Sequence, residues 1–208
     1  LTVPNTGEAK RVFLDEASLD PALTVRFKSL KHPRYLLAWT TTPWTLPANV
    51  AIAVNSEATY VIVRTKNQQG VEKKYLVAEA RVENFCEACS LEKISLGEKF
   101  LGNQLEGKIA QHPFLPRTAT LYGADFVTMD SGTGLVHIAP GHGEDDYTLG
   151  LQKKLPVLSP VDDEGCFTEE TEAEVYEFEL FVPVQQDILS LNVSVDDIVA
   201  VQVVHSRK

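Results

Sequence analysis

The stretch Tyr35-Leu-Leu-Ala-Trp-Thr-Thr-Thr-Pro-Trp-Thr-Leu-Pro-Ala-Asn49 sets an apolar run against four hydroxyls and two prolines. The run Tyr35–Trp39 predicts a buried strand. Side chains alternate along a strand, so Thr40 and Thr42 share a face while Thr41 points the other way. Pro43 biases Thr42 towards an extended backbone and removes one ladder donor, and Pro47 does the same to Leu46. The strand is therefore expected to end in an irregular loop that leaves hydroxyl and backbone groups facing a ligand. Threonine also favours strands in general, and proline ends them.

Working outward, short β-branched or period-2 runs recur at Val12–Leu14, Thr24–Leu30, Tyr35–Thr41, Val50–Val54, Thr59–Thr65, Lys74–Val77, Glu92–Leu96, Ala124–Thr128 and Gly134–Ala139. Many short strands between Gly, Pro and Asn turns predict a mainly β, barrel-like core. Helices are expected at Ala78–Cys89, Gly143–Lys153 and Pro183–Leu191. The run Val195–Val204 is expected to return as a strand beside the start of the domain. Residues 162–182 read as an acidic excursion, since Glu169–Glu179 holds six glutamates in eleven residues and fits a solvated face.

The 208 residues are 44% hydrophobic and 23% charged, which fits one globular domain with a sizeable core. No run of 18 apolar residues and no basic start followed by an apolar stretch appears, so neither a membrane span nor a secretory signal is expected. The first residue is Leu1, as in a piece of a longer protein. The net charge of −10 argues against a main role in gripping a phosphate backbone; a nucleic-acid ligand would be touched at a short end. Cys86-Glu-Ala-Cys89 has zinc-ribbon spacing, but no second pair follows, so free thiols in a reducing compartment are expected.

The second informative stretch is Gly132-Thr-Gly-Leu-Val-His-Ile-Ala-Pro-Gly-His-Gly-Glu-Asp-Asp146. Alternation puts Leu135, His137 and Ala139 on one face of a strand, with Val136 and Ile138 on the other. His137 thus stands where an apolar side chain would sit, either as a hydrogen-bonded core group or as a functional one. Pro140-Gly-His-Gly143 breaks the strand and Glu144-Asp-Asp opens a helix. Asp145 and Asp146 could cap that helix, or one of them could face an ammonium group. Three acids would repel a phosphate, and His137, His142 and Asp146 match no common zinc spacing, so no metal is expected.

Together these two stretches resemble the editing domain of isoleucyl-tRNA synthetase, whose valyl and leucyl relatives share the fold. Gly141-His-Gly with Asp146 favours the isoleucyl branch, because the other two typically read Pro-Ala-His-Asp there. The activating-domain signatures are absent. The resemblance implies a closed β-barrel with peripheral helices, one editing domain over residues 1–208, and hydrolysis of mischarged valyl-tRNA. It implies that Thr40, Thr41 and Thr42 surround the terminal adenosine and the scissile ester. Trp44 and Thr45 would wall the amino-acid pocket, Asn49 support the threonine loop, His137 limit side-chain size, and Asp146 hold the substrate ammonium. Editing would need no cofactor, ATP belonging to the activating domain. The partners would be the 3′ end of aminoacylated tRNA and the rest of the synthetase, around a monomeric, cytoplasmic module. Alternatives are a valyl- or leucyl-type editing domain and a non-catalytic barrel that binds an aminoacylated end.

Overall fold

A computed structural model describes residues 19–160 and 198–205 of the chain, with side chains from Leu23 to Pro160. Ten strands follow in chain order: β1 (Leu19–Ser29), β2 (Tyr35–Thr40), β3 (Ala51–Val54), β4 (Thr59–Lys66), β5 (Glu72–Ala78), β6 (Glu92–Leu101), β7 (Ile109–Gln111), β8 (Thr118–Gly123), β9 (Leu135–Ile138) and β10 (Ile198–His205). Two helices accompany them, α1 (Val82–Ala88) and α2 (Glu144–Lys153).

Six of the strands close on themselves. Neighbours run β1–β7–β8–β3–β9–β2, and β2 pairs back onto β1 from Leu23↔Thr40 to Lys28↔Tyr35. Closure leaves none of these six strands as an unpaired edge. The strands β5, β4 and β6 extend the wall on one side, and β10 pairs antiparallel with β1, so the final run does return to the start of the domain.

The barrel fills because its strands alternate. Phe27, Leu36, Ile52, Val54, Leu121 and Leu135 meet inside it. Strand β3 is buried along its whole length: Ile52 and Val54 join the interior, while Ala51 and Ala53 pack outward with Ile138 and Leu149 of α2. On the far wall, Leu37, Val61, Tyr75 and Val77 carry Val82 and Phe85 of α1. Each fully buried Leu or Phe contributes about 1.5–3 kcal/mol by leaving water.

Strand β2 divides its outer edge between two parallel neighbours, β5 at Tyr35–Leu36 and β9 at Trp39. The turn Gly132-Thr133-Gly134 plugs the split. The Thr133 hydroxyl donates to the Leu37 carbonyl, the Ala78 N–H donates to the Thr133 carbonyl at 2.9 Å, and Arg81 Nε donates to the Gly132 carbonyl at 3.0 Å. Gly132 and Gly134 have φ of +65° and +78°, and a Cβ on Gly132 would lie 2.8 Å from the Trp39 ring. Both positions therefore require glycine.

Several expectations need correction. Ala124–Thr128 is not a strand; Gly123 ends β8, and Ala124 and Val127 pack beneath α2. Strands β7 and β8 were not anticipated. Strand β2 stops at Thr40, short of Thr41, and Pro43–Ala48 forms a 3-10 helix rather than an irregular loop. Val12–Leu14, Pro183–Leu191 and the acidic excursion at 162–182 lie outside the described residues. No helix among the described residues is long and apolar enough to cross a membrane.

Candidate functional site

Parallel strands end on the same side, and β2 and β9 are parallel through Trp39↔Val136. The threonines after β2 and the Ala139–Asp146 segment after β9 therefore emerge at one rim of the barrel. This convergence joins two stretches about 90 residues apart.

The turn at Pro43–Ala48 forms because Pro43 at its first position fits a helical φ, and because the hydroxyls bond locally. The Thr42 N–H donates to Thr40 Oγ1 at 3.1 Å, and the Thr45 hydroxyl donates to the Thr42 carbonyl at 2.7 Å. Thr42 Oγ1 lies 3.3 Å from Thr40 Oγ1 and 3.4 Å from Thr45 Oγ1. Thr40 and Thr45 are buried, whereas Thr41 and Thr42 are exposed. Trp44 is 39% exposed and stands on the open side of the turn.

His137 points inward from β9, on the same face as Leu135, and is 5% exposed. Its Nε2 is 2.9 Å from Thr45 Oγ1. Because the one hydroxyl hydrogen of Thr45 goes to the Thr42 carbonyl, Nε2–H is the donor and Nδ1 is left as an acceptor. Asn49 supplies the complementary group, its Nδ2 lying 3.4 Å from Nδ1. Burial, and then the nearby His142, hold the His137 pKa down at about 4. The imidazole is therefore neutral and bonded at both nitrogens, which suits a wall and not a proton carrier.

Asn49 is fully buried at the end of the turn. Its Nδ2 donates to the Ala51 carbonyl at 2.8 Å and its own N–H to the Leu46 carbonyl at 2.9 Å. It thereby fastens the threonine turn to β3. A second histidine fastens the middle of the same turn, and it had no signal in the sequence beyond its residue type. His112, just after β7, places Nε2 3.0 Å from the Leu46 carbonyl. Its Nδ1 accepts the N–H groups of Phe114 at 3.3 Å and Leu115 at 3.0 Å. Burial is the main cause holding its pKa at about 3, so this ring is neutral too.

Asp146 does not cap α2. Its Oδ2 accepts the Ala139 N–H at 2.8 Å, two residues beyond His137. Burial raises its pKa above the ordinary carboxylate value; the Ala139 N–H opposes that shift and Asp145 adds to it. Asp146, Asp145, Trp39, Phe126 and Gly132–Val136 line a cavity of about 260 Å³ on the outer side of β9. A second cavity of about 360 Å³ shares Trp39, Gly132 and Thr133 with it and reaches Arg81 and Asn84. None of the three consecutive threonines lines the first cavity among the described residues; Thr40 adjoins it through Trp39 in the chain.

This end of the barrel thus brings together hydroxyls, a buried neutral imidazole and one carboxylate fixed through a single oxygen. The hydroxyl–imidazole pair here is Thr45–His137, and there Nε2–H is the donor, so the ring is not set to take the Thr45 proton. Among the described residues no group of three or more His, Cys, Asp or Glu is placed to hold a metal. Cys86 and Cys89 are free, with thiol pKa values raised chiefly by burial, that of Cys89 to about 12.

The family model for the leucyl-tRNA synthetase editing domain matches residues 23–188. The isoleucine–tRNA ligase of Fervidobacterium pennivorans is 46% identical over 165 residues, covering 79% of this chain and 17% of that protein. That of Carboxydothermus hydrogenoformans is 48% identical over 169 residues, with 78% and 17% covered. The chain thus spans about a sixth of the length of these relatives. Among solved structures, the editing domain of the P. knowlesi cytosolic leucyl-tRNA synthetase superposes with a TM-score of 0.54 at 12% identity, covering 66% of this chain and 65% of that one. That of P. falciparum gives 0.54 at 10%, with 65% and 67% covered. At such identities the likeness concerns the fold.

Proposed function

Because the chain belongs to the editing-domain family of the isoleucyl- and leucyl-tRNA synthetases, we propose that its rim hydrolyses the aminoacyl ester of valyl-tRNA mischarged on isoleucine tRNA. The observation that carries the reading is the Thr45–His137 hydrogen bond, set beside an Asp146 carboxylate at the same barrel end.

The need for such a site is energetic. A hydrophobic pocket gains about 1–3 kcal/mol from one extra methylene, and isoleucine against valine is the known reference case for that limit. A second pocket walled by His137 and Thr45 admits valine and excludes isoleucine by size. The rigidity of that wall matters, and both rings of the network are tied at each nitrogen.

Asp146 is bound to the backbone through Oδ2, which leaves Oδ1 for the substrate ammonium. The cavity beside Trp39 and Gly132 is suited to the terminal adenosine. Thr40, Thr41 and Thr42 then border the ester, with Trp44 and Asn49 completing and bracing the pocket. Water attacks the ester carbonyl, the hydroxyls orient it and bond the developing oxyanion, and the ribose oxygen leaves with a proton. Positioning does the work. The partners in this reading are the 3′ end of tRNA and the remainder of a cytoplasmic synthetase.

The isoleucyl branch is preferred over the leucyl one because the relatives at 46–48% identity are isoleucine–tRNA ligases. Deacylation with excess substrate tests the proposal. Multiple turnovers of valyl-tRNA with isoleucyl-tRNA spared support it. Preferred cleavage of threonyl-tRNA or a leucyl-tRNA misfit moves the chain to another branch, and binding without turnover makes it a passive receptor.

A further inference from the structure

A cavity of about 660 Å³, larger than either cavity beside Trp39, opens at the other end of β2. It is lined by Lys28, Arg34, Tyr35, Arg64, Lys73 and Lys74, with Pro33 and Glu72. Its charge is out of keeping with the chain. The two hairpin segments that form it, residues 21–35 and 64–74, hold eight of the 19 Lys and Arg residues and one of the 29 Asp and Glu residues. No acid occurs between Asp20 and Glu57. The single acid in the groove, Glu72, is already bonded to Arg64.

The floor is aromatic. Tyr35 lies beneath Arg26 at 5.2 Å and Lys73 at 5.7 Å, and its ring is 6.1 Å from that of Tyr75. Beside the groove, Arg34 and Lys108 both stand over Phe100, at 5.2 and 4.4 Å. Burial first, and then Arg34, lower the Lys108 pKa, with Glu98 opposing both effects. Cations over aromatic rings are the chemistry of a groove that follows a nucleic-acid backbone.

Position selects the occupant. Tyr35 and Trp39 are four residues apart on β2 and share its outer face, so the groove and the rim cavities lie on one side of the strand. From Tyr35 to Thr40 the strand spans roughly 17 Å at about 3.3 Å per residue, the reach of a few nucleotides. We propose that this groove holds phosphodiester groups of the tRNA whose aminoacylated end enters the rim. The inference rests on the editing reading for the identity of the RNA. Elsewhere the acidic surface repels RNA, so a local basic groove also orients the approach.

The test is binding of uncharged tRNA, followed by anisotropy between about 50 and 300 mM salt. A chain carrying Lys28→Glu, Arg34→Glu and Lys74→Glu is expected to bind at least about tenfold more weakly at low salt. Its log–log salt slope should fall by about 2–3, near 0.7–0.9 per lost phosphate contact. The charge-preserving set Lys28→Arg, Arg34→Lys and Lys74→Arg is expected to keep both. Unchanged affinity and slope in a folded charge-reversed chain overturn the proposal. So does a groove that binds polyglutamate while tRNA binding ignores it. Uncharged tRNA carries no ester, so this readout is independent of turnover: missing hydrolysis removes the editing reading, and missing groove dependence removes this one.

Discussion

Thr45 accepts the Nε2 proton of His137 across 2.9 Å, and that bond joins a turn after β2 to the inner face of β9. Both side chains are buried, and in the proposed reading they form the floor of the amino-acid pocket. Size selection in this account is a property of that pair.

Replacing His137 with alanine removes the wall. Isoleucyl-tRNA is expected to become a substrate, with the valine-over-isoleucine preference in kcat/KM falling at least about tenfold, near the 1–3 kcal/mol that a methylene is worth. Stability drops by about 1–3 kcal/mol as Thr45 and Asn49 lose their partner. Continued rejection of isoleucine in a folded variant would move the filter elsewhere.

His112 acts one layer below. His112→Phe keeps the ring but orphans the Leu46 carbonyl and the Phe114 and Leu115 N–H groups, each at about 1–3 kcal/mol. The melting temperature should fall, and the valine preference should relax although the ring is not placed to touch substrate. A destabilised variant with full selectivity would limit His112 to a structural role.

Asp146→Asn preserves size and removes the charge. Deacylation of valyl-tRNA is expected to fall by two orders of magnitude or more with the circular dichroism spectrum unchanged, which separates loss of the anchor from loss of fold. In the wild type, the raised Asp146 pKa shifts the acid limb of kcat/KM upward from the ordinary aspartate value, because the ionised form binds the ammonium. An acid limb at or below the ordinary aspartate value, or one unchanged in Asp146→Asn, would remove the assignment.

Both buried histidines bind protons more weakly in the folded chain than their ordinary value of 6.5, titrating at about 4 for His137 and about 3 for His112. Below pH 6.5 the unfolded chain takes up protons that the folded chain refuses, so stability is full above that pH and is lost as pH falls towards 4. Each histidine contributes a slope of about 1.4 kcal/mol per pH unit. Urea midpoints between pH 7.5 and 5 should show this decline, and His137→Gln should reduce it. A flat profile would mean that the rings are not buried and neutral as described.

Gly132→Ala tests the turn that shapes the cavity. A Cβ there meets the Trp39 ring at 2.8 Å on a backbone of φ +65°, so a loss of about 1–2 kcal/mol or more is expected, with weaker binding of adenosine-ended ligands. A neutral effect in thermal melting would show that the turn can relax.

The rim was legible in the sequence because its chemistry is local: consecutive threonines before Pro43, a histidine in an apolar strand, and acids after a glycine turn. The closed barrel was expected from the resemblance and is what forms, but two of the strands that close it were not expected, because β7 is three residues long and β8 (Thr118–Gly123) gives little hydrophobic signal. The strand expected at Ala124–Thr128 failed for a related reason: its buried Ala124 and Val127 lie against α2 as a turn. His112 was invisible because its importance comes from Leu46, 66 residues away. For Asp146 the sequence left capping and binding open; the structure removes capping, since Oδ2 accepts the Ala139 N–H instead.

The decisive experiment is a crystal structure of the chain with a non-hydrolysable valyl-adenosine analogue. The ammonium is expected within about 3.2 Å of the Asp146 carboxylate, the isopropyl group against His137 and Thr45, and the ester position beside Thr40–Thr42. An analogue seated away from this rim, or with its side chain turned from His137, would contradict it.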